Sequence, residues 1–144
     1  MIPRYRAWDK IRKTMYEDED IIAMSFEDKS ICIQTIYFGH GLPDSFEQGL
    51  PDSRDLDYYD FDDIVLMQST GLTDYNGREI FEGDIVKMSM NFYSNPTYYE
   101  VVRSIGGTYR LESSQHGCEL WLRHADCYIV GNIYENTELL EELK

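Results

Sequence analysis

Apolar and polar residues alternate along much of the chain, which is the pattern of half-buried β-strands. After a turn at residues 82–84, Val86, Met88 and Met90 fall on one face of a strand at a period of two. Residues 98–105 and 108–112 flank Gly106 and Gly107, and this arrangement predicts a second hairpin with a two-residue loop. The second half of the chain is therefore expected to be mostly strand.

The first half of the chain contains two further apolar runs. Residues 21–26 and 31–38 lie on either side of a polar segment at residues 27–30, which predicts an N-terminal β-hairpin. The apolar positions change parity within the second run. We therefore expect a bulge near Gln34 and Thr35 that restores the phase.

The centre of the chain, residues 66–87, combines apolar runs with two tight turns. Asn76 and Gly77 tolerate positive φ, and an Asn-Gly pair between apolar runs is a strong hairpin signal. Gly83 lies in the second turn. We interpret Asp74, Glu82 and Asp84 as turn and strand-end residues rather than as a catalytic cluster.

The end of the chain has the pattern of one more strand followed by a helix. Residues 127–134 form the strand, and Gly131 would allow it to bend. Asn136 or Thr137 is expected to cap a short helix over residues 138–143. Trp121, in a short apolar run before the strand, is expected in the core or in an interface.

These elements predict a mostly β fold: a small SH3-like barrel or a strongly bent antiparallel sheet, with an N-terminal β-hairpin and a short C-terminal helix. A chain of 144 residues suits a single domain. Within it we expect the hairpin region at 1–38, an acidic loop insertion at 39–63, and the barrel core with the C-terminal helix at 64–144.

Three pieces of the sequence resemble one protein family. The central piece reads Gln-Ser-Thr-Gly-Leu-Thr-Asp-Tyr-Asn-Gly-Arg-Glu-Ile-Phe-Glu-Gly-Asp-Ile-Val-Lys from Gln68 to Lys87, and it resembles the signature of the YopX family of phage and prophage proteins. Residues 2–10 and residues 130–140 resemble the start and the end of that family. The resemblance implies a phage origin and a mostly β fold. The family's function is not known, so the resemblance implies no catalytic residues.

The charge of the chain restricts its partners. The formal net charge is -14, with 27 acidic and 13 basic residues. A phosphate backbone or an anionic membrane surface requires clustered Lys and Arg, so direct nucleic-acid binding and membrane binding are not expected. The balance suits a protein that meets a basic partner. An aromatic content of 14% also leaves room for a homo-oligomer.

Acidic residues are most concentrated between residues 39 and 63, where aromatic residues are interleaved with them. We call eight of these residues the acidic strip and consider three roles for it: a solvated insertion, a docking surface for a basic protein, and a hard-cation site. The spacing lacks the Gly and the distal Glu of an EF-hand loop, so no metal is predicted. The acidic strip consists of Asp55, Asp57, Tyr58, Tyr59, Asp60, Phe61, Asp62 and Asp63.

Cysteine and histidine residues give no signature of chemistry. Cys32, Cys118 and Cys127 include no CxxC pair, and their spacing from the histidines matches no common zinc motif. No signal peptide or long apolar run is visible. We therefore expect no disulfide framework, no cofactor, no catalytic residue and a cytoplasmic location in a phage-infected or lysogenic bacterial host.

The sequence favours a phage-encoded, non-enzymatic interaction protein that uses the acidic strip to bind a basic host or phage protein. The first alternative is an SH3-like nucleic-acid-binding module, motivated by the barrel shape and a basic run at residues 4–13. The second is a metal-dependent enzyme.

Overall fold

The computed structural model describes residues 4–37 and 53–144. Of these, residues 4–5 and 67–144 form one compact unit, unit 1, and residues 6–37 and 53–66 belong to a second, unit 2. The sequence-based expectation of a single domain stays a prediction. Residues 38–52, which include much of the acidic loop insertion expected at 39–63, lie outside the described residues.

Unit 2 is built from short antiparallel strands around its own core. Ala7, Ile31, Ile33 and Ile64 are buried together, because alternating apolar residues place one face of each strand inward. β1 pairs with β2, and β3, β4 and β5 form a three-stranded sheet in that order. The strands are β1 (Tyr5–Asp9), β2 (Thr14–Tyr16), β3 (Ile21–Ser25), β4 (Ser30–Tyr37) and β5 (Ser53–Asp60), with 3₁₀ turns at Asp18–Asp20 and Phe61–Asp63.

The N-terminal hairpin is confirmed as β3 and β4. The expected loop at 39–63 is wrong for Ser53–Asp60, which forms β5 and pairs with β4 along its whole length. The Gly, Pro and acidic residues of this segment suggested a loop, and all three residue types are depleted in strands. The structure shows that strand pairing outweighs this propensity, since Tyr59 of β5 lies opposite Ile31 and packs on the core.

The bulge expected in β4 is also wrong, because the register between β4 and β5 runs unbroken through Gln34 and Thr35. The irregularity lies instead in β3, between Ile21 and Ala23. β4 is paired on both edges, so a bulge there would interrupt two ladders. In β3 it interrupts only one.

Unit 1 contains a five-stranded antiparallel sheet in the order β11-β10-β9-β8-β12. It is strongly bent, in the manner of half a barrel, which confirms the predicted fold class. β6 and β7 pair with each other outside this five-stranded sheet, with a shift in register between Ser69 and Thr73. The strands are β6 (Ile64–Thr73), β7 (Glu79–Phe81), β8 (Asp84–Met88), β9 (Thr97–Arg103), β10 (Tyr109–Glu112), β11 (Gly117–Glu119) and β12 (Tyr128–Asn132).

The core of unit 1 follows the predicted alternation. Val86 and Met88 of β8 are buried beside Tyr99 and Val101 of β9. One helical turn, α1 (Leu120–Arg123), adds Leu120 to this core. Its neighbour Trp121 is 61% exposed, so Trp121 does not lie in the core, and its expected place in an interface stays a prediction.

Both predicted turns in unit 1 exist, but the turn at Gly106 and Gly107 does not have the predicted two-residue loop. Ser104 and Thr108 close the β9–β10 turn through a backbone hydrogen bond of 2.7 Å, and only Gly107 has positive φ, at 84°. The turn at Asp74 and Arg78 has the same arrangement, with Gly77 at 81°. A three-residue loop of this kind needs glycine only at its last position.

The chain ends in the predicted short helix, which is a 3₁₀ helix at Thr137–Leu143. A further 3₁₀ turn lies at His124–Asp126. Asn136 occupies the N-cap position, but its side chain makes no capping bond to the helix. Among the described residues, no helix has the length and apolar character needed to cross a membrane.

Candidate functional site

The buried acids of the central stretch serve backbone geometry. Asp74 is 4% exposed. Its Oδ1 accepts hydrogen bonds from the backbone N–H groups of Asn76 and Arg78, both at 2.9 Å, and its Oδ2 accepts one from Ile129 N–H at 2.9 Å. One carboxylate therefore fixes the turn and ties it to β12.

Asp84 and Glu82, the other two acids interpreted from the sequence as turn and strand-end residues, have comparable roles. Asp84 Oδ2 accepts the N–H of Phe81 at 2.8 Å and so closes the turn between β7 and β8. Glu82 Oε1 accepts the N–H of Gln68 at 2.9 Å. The interpretation of all three acids as turn and strand-end residues is confirmed by these bonds.

The end of β12 is fastened by amide side chains in the same way. Asn132 Oδ1 accepts the N–H groups of Tyr134 and Glu135 at 3.0 and 2.8 Å, and Asn136 Oδ1 accepts the N–H of Asn132 at 3.0 Å. A Cβ at Gly131 would collide with the Asn136 side chain. These residues hold the chain in a tight bend. The Asn136 side chain therefore accepts a hydrogen bond from Asn132 in place of the expected capping bond to the C-terminal helix.

The acidic strip divides into an exposed part and a packed part. Asp57, Asp60 and Asp62 are exposed, and Tyr58 is 71% exposed. Asp63 is half-buried. Asp55 lies in β5 opposite Thr35, and its side chain falls outside the described part of the structure.

Tyr59 and Phe61 form the packed part of the strip. Tyr59 stacks on Tyr16 with ring centroids 5.8 Å apart, and Phe61 meets Phe26 edge to face at 5.7 Å. The Arg12 guanidinium lies 4.8 Å from the centroid of the Tyr59 ring. These two aromatic residues therefore stabilise unit 2, and their part in binding a partner stays a prediction.

One further exposed residue of β5 was not predicted from the sequence. Leu56 is 50% exposed and lies opposite Gln34, on the same face as Tyr58, which lies opposite Cys32. Contact with the Cys32 thiol raises the pKa of Tyr58. The alternation of Leu56 and Tyr58 with Asp55 and Asp57 was the available signal, and it is the period of a strand.

Unit 1 contains a cleft of about 390 Å³ beside Arg123. Phe92 and Tyr128 line it, together with Asp126. The guanidinium of Arg123 pairs with Asp126 at 3.0 Å and donates to the backbone carbonyls of Met90 and Ser89 at 3.1 and 2.8 Å. This arginine therefore anchors the loop after β8.

The thiols and imidazoles of the described residues differ in their exposure. The three cysteines are free thiols, and burial raises the pKa of Cys127 to about 12. His116 is exposed, and His124 Nδ1 lies 2.7 Å from the carbonyl oxygen of Thr73. Within residues 4–37 and 53–144, His, Cys, Asp and Glu form no group of three or more that could hold a metal ion.

Comparison with known proteins agrees with this architecture. Protein EF1440 from Enterococcus faecalis has a crystal structure that is similar over 97% of this chain and 99% of its own, at a TM-score of 0.62 and 28% identity. Protein yopX from Bacillus subtilis is similar over 95% of this chain and 97% of its own, at a TM-score of 0.62 and 20% identity. A comparison with curated proteins gave no match. A family model described as YopX protein matches residues 4–141, and the chain therefore belongs to the YopX family.

Proposed function

We propose that this protein is a non-enzymatic accessory protein of a phage or prophage that binds a basic protein partner through the exposed part of the acidic strip. The observation that carries the proposal is the arrangement on β5 and the turn after it. Asp57, Asp60 and Asp62 are exposed there next to an exposed ring, Tyr58. Acids supply steering and charge complementarity, and an exposed aromatic residue supplies contact area.

The engagement of the basic residues supports a protein partner over a nucleic acid. Arg4 pairs with Glu79 at 3.1 Å, and Arg6 is 7% exposed. Lys10 Nζ donates to the carbonyl of Asp62 at 2.8 Å, while Arg12 contacts Asp9 and Tyr59. Much of the basic run that motivated the nucleic-acid alternative thus makes contacts within its own chain, and the net charge of -14 repels phosphate.

The proposal is tested by capture of proteins from an extract of the bacterial host. The test variant carries Asp57→Asn, Asp60→Asn and Asp62→Asn. A matched control carries Glu138→Gln, Glu141→Gln and Glu142→Gln, which removes the same charge from exposed positions at the C-terminus. We expect the wild type and the control variant to capture one or more basic proteins that the strip variant does not capture.

Captured proteins that are the same for all three forms would contradict the proposal. So would retention of labelled duplex DNA at low salt by the wild type, with a steep loss as salt rises, because this is the behaviour of a nucleic-acid-binding protein. Circular dichroism of each variant shows whether the fold is retained. The substituted side chains are exposed, so we expect no change.

A further inference from the structure

We propose that β5 binds its partner by strand addition: an extended segment in which Lys or Arg alternates with apolar residues pairs with the outer edge of β5. This inference rests on the proposed function and specifies the chemistry of the partner. It is carried by the position of β5 in its sheet, by the regularity of the strand, and by the side chains that it exposes.

The position of β5 leaves one of its edges without a neighbouring strand among the described residues, because β5 is the last strand in the order β3-β4-β5. Its eight residues pair with β4 in one continuous register, from Ser53 opposite Tyr37 to Asp60 opposite Ser30. Every second residue of such a strand directs its N–H and C=O away from its neighbour. These groups form a template for one more strand.

The two edge strands of this sheet differ in how they limit such pairing. β3 contains a bulge between Ile21 and Ala23, and bulges are a common device that prevents pairing at an edge. β5 has no bulge in its register with β4, and Arg54 is the only basic residue within it. The described structure therefore protects one edge and leaves the other regular.

The side chains of β5 indicate what the added strand carries. Leu56 and Tyr58 are exposed on one face, which Asp60 shares at the end of the strand, and Asp57 is exposed on the other. Residues directly opposite each other on paired strands share a face. An added strand with apolar residues on the first face and Lys or Arg on the second therefore matches β5 in both surface and charge.

A second copy of the chain is a poorer occupant of this edge. β5 carries Asp55, Asp57 and Asp60 against a single Arg54, so pairing of β5 with β5 would join two acidic strands, and like charges across a strand pair are destabilising. The charge of the strip is complementary to a basic strand, and we assign the edge to that occupant.

The test uses a synthetic peptide of alternating Lys and Val, matched in length to β5, with binding followed by fluorescence anisotropy at low salt. Two further peptides carry backbone N-methyl groups on alternate residues, one set on the Lys residues and the other on the Val residues. Strand addition uses the N–H groups of one set only. We therefore expect one N-methylated peptide to lose more than about tenfold in affinity, and the other to lose little.

Hydrogen exchange provides a second readout, since amides at the outer edge of β5 should exchange more slowly with the unmodified peptide bound. Tyr58→Ala should weaken binding without change in the circular dichroism spectrum. Equal affinity of both N-methylated peptides would overturn strand addition but leave an electrostatic contact, and with it the proposed function, intact. Absence of binding at low salt, or dimerisation in sedimentation that the peptide does not reverse, would also overturn the inference.

Discussion

At the scale of single residues, buried carboxylates of this protein accept hydrogen bonds from backbone N–H groups and so hold turns in place. Asp74 shows this most clearly, since its two oxygens accept three hydrogen bonds from different parts of unit 1. A buried N–H that loses its acceptor keeps the full cost of desolvation. The stability of this region therefore depends on a few polar side chains as well as on its apolar core.

Replacement of Asp74 by alanine should lower the free energy of unfolding by roughly 2–4 kcal/mol, because three backbone donors lose their acceptor. Urea unfolding followed by circular dichroism measures the change. Asp126→Ala is a suitable control, since Asp126 is a largely exposed partner of Arg123, and such a pair contributes at most about 1 kcal/mol. Equal effects of the two substitutions would refute the fastening role.

Asp9 makes the free energy of unfolding depend on pH, because its pKa is lower in the folded protein than its ordinary value. Burial acts to raise the pKa of Asp9, but hydrogen bonds from the Arg12 and Ile11 N–H groups and the Tyr16 hydroxyl, with the Arg12 guanidinium, lower it overall. A lowered folded-state pKa means that Asp9 stabilises the fold above the unfolded-state value of 3.8. This contribution is lost as the pH falls through the folded-state pKa.

The free energy of unfolding should therefore fall between about pH 5 and pH 2, and it should fall less in Asp9→Asn than in the wild type. Urea titrations at a series of pH values give both curves. Parallel curves would show that Asp9 has the same pKa in the folded and unfolded states.

At the scale of elements, strands and turns follow local patterns, but their details depend on neighbouring strands. Alternation predicted the hairpin of β3 and β4, and Gly77 and Gly107 marked two turns. The number of residues in each loop was not predictable from a Gly-Gly or Asn-Gly pair, because both loop lengths use such pairs.

The β9–β10 turn provides a test of its geometry within a single hairpin. Gly107→Ala should destabilise the protein by about 1 kcal/mol, because Gly107 is the one of the two glycines in this turn that has positive φ. Gly106→Ala should be neutral or slightly stabilising, since no atom lies within 4 Å of the added Cβ. A two-residue loop would need positive φ at both glycines, and similar losses in both variants would therefore support that loop instead.

The acidic strip shows the limit of prediction for an element. Its acids and aromatic residues were identified from the sequence, but its division into exposed and packed residues was not. That division depends on β4, which places Ile31 opposite Tyr59 and Cys32 opposite Tyr58. One residue along a strand reverses the face, and the sequence of β5 alone does not say which face is covered.

At the scale of the whole molecule, a net charge of -14 on 144 residues destabilises the folded state through repulsion among the acidic side chains. The ion pairs of the described residues compensate only locally, as where Arg110 bridges Glu112 and Glu119 at 2.6 Å each. Screening by salt weakens the repulsion and these pairs together. Because partly exposed pairs contribute little individually, we expect the relief of repulsion to dominate.

The midpoint of thermal unfolding should therefore rise by a few degrees between about 20 mM and about 500 mM NaCl. The variant with Glu138→Gln, Glu141→Gln and Glu142→Gln should show a smaller rise, since it carries less charge. A midpoint that falls as salt is added would mean that attractive pairs outweigh the excess of acids.

The path of the chain through unit 1 has a consequence for how such a protein can be altered. Unit 1 is interrupted after residue 5 and resumes at residue 67, yet the flanking Arg4 and Ser69 share a backbone hydrogen bond of 2.8 Å. In the sequence, the intervening residues are thus inserted between two positions of unit 1 that a hydrogen bond joins. We therefore expect that a segment of another length or sequence can replace these residues while the hydrogen bond between Arg4 and Ser69 is retained.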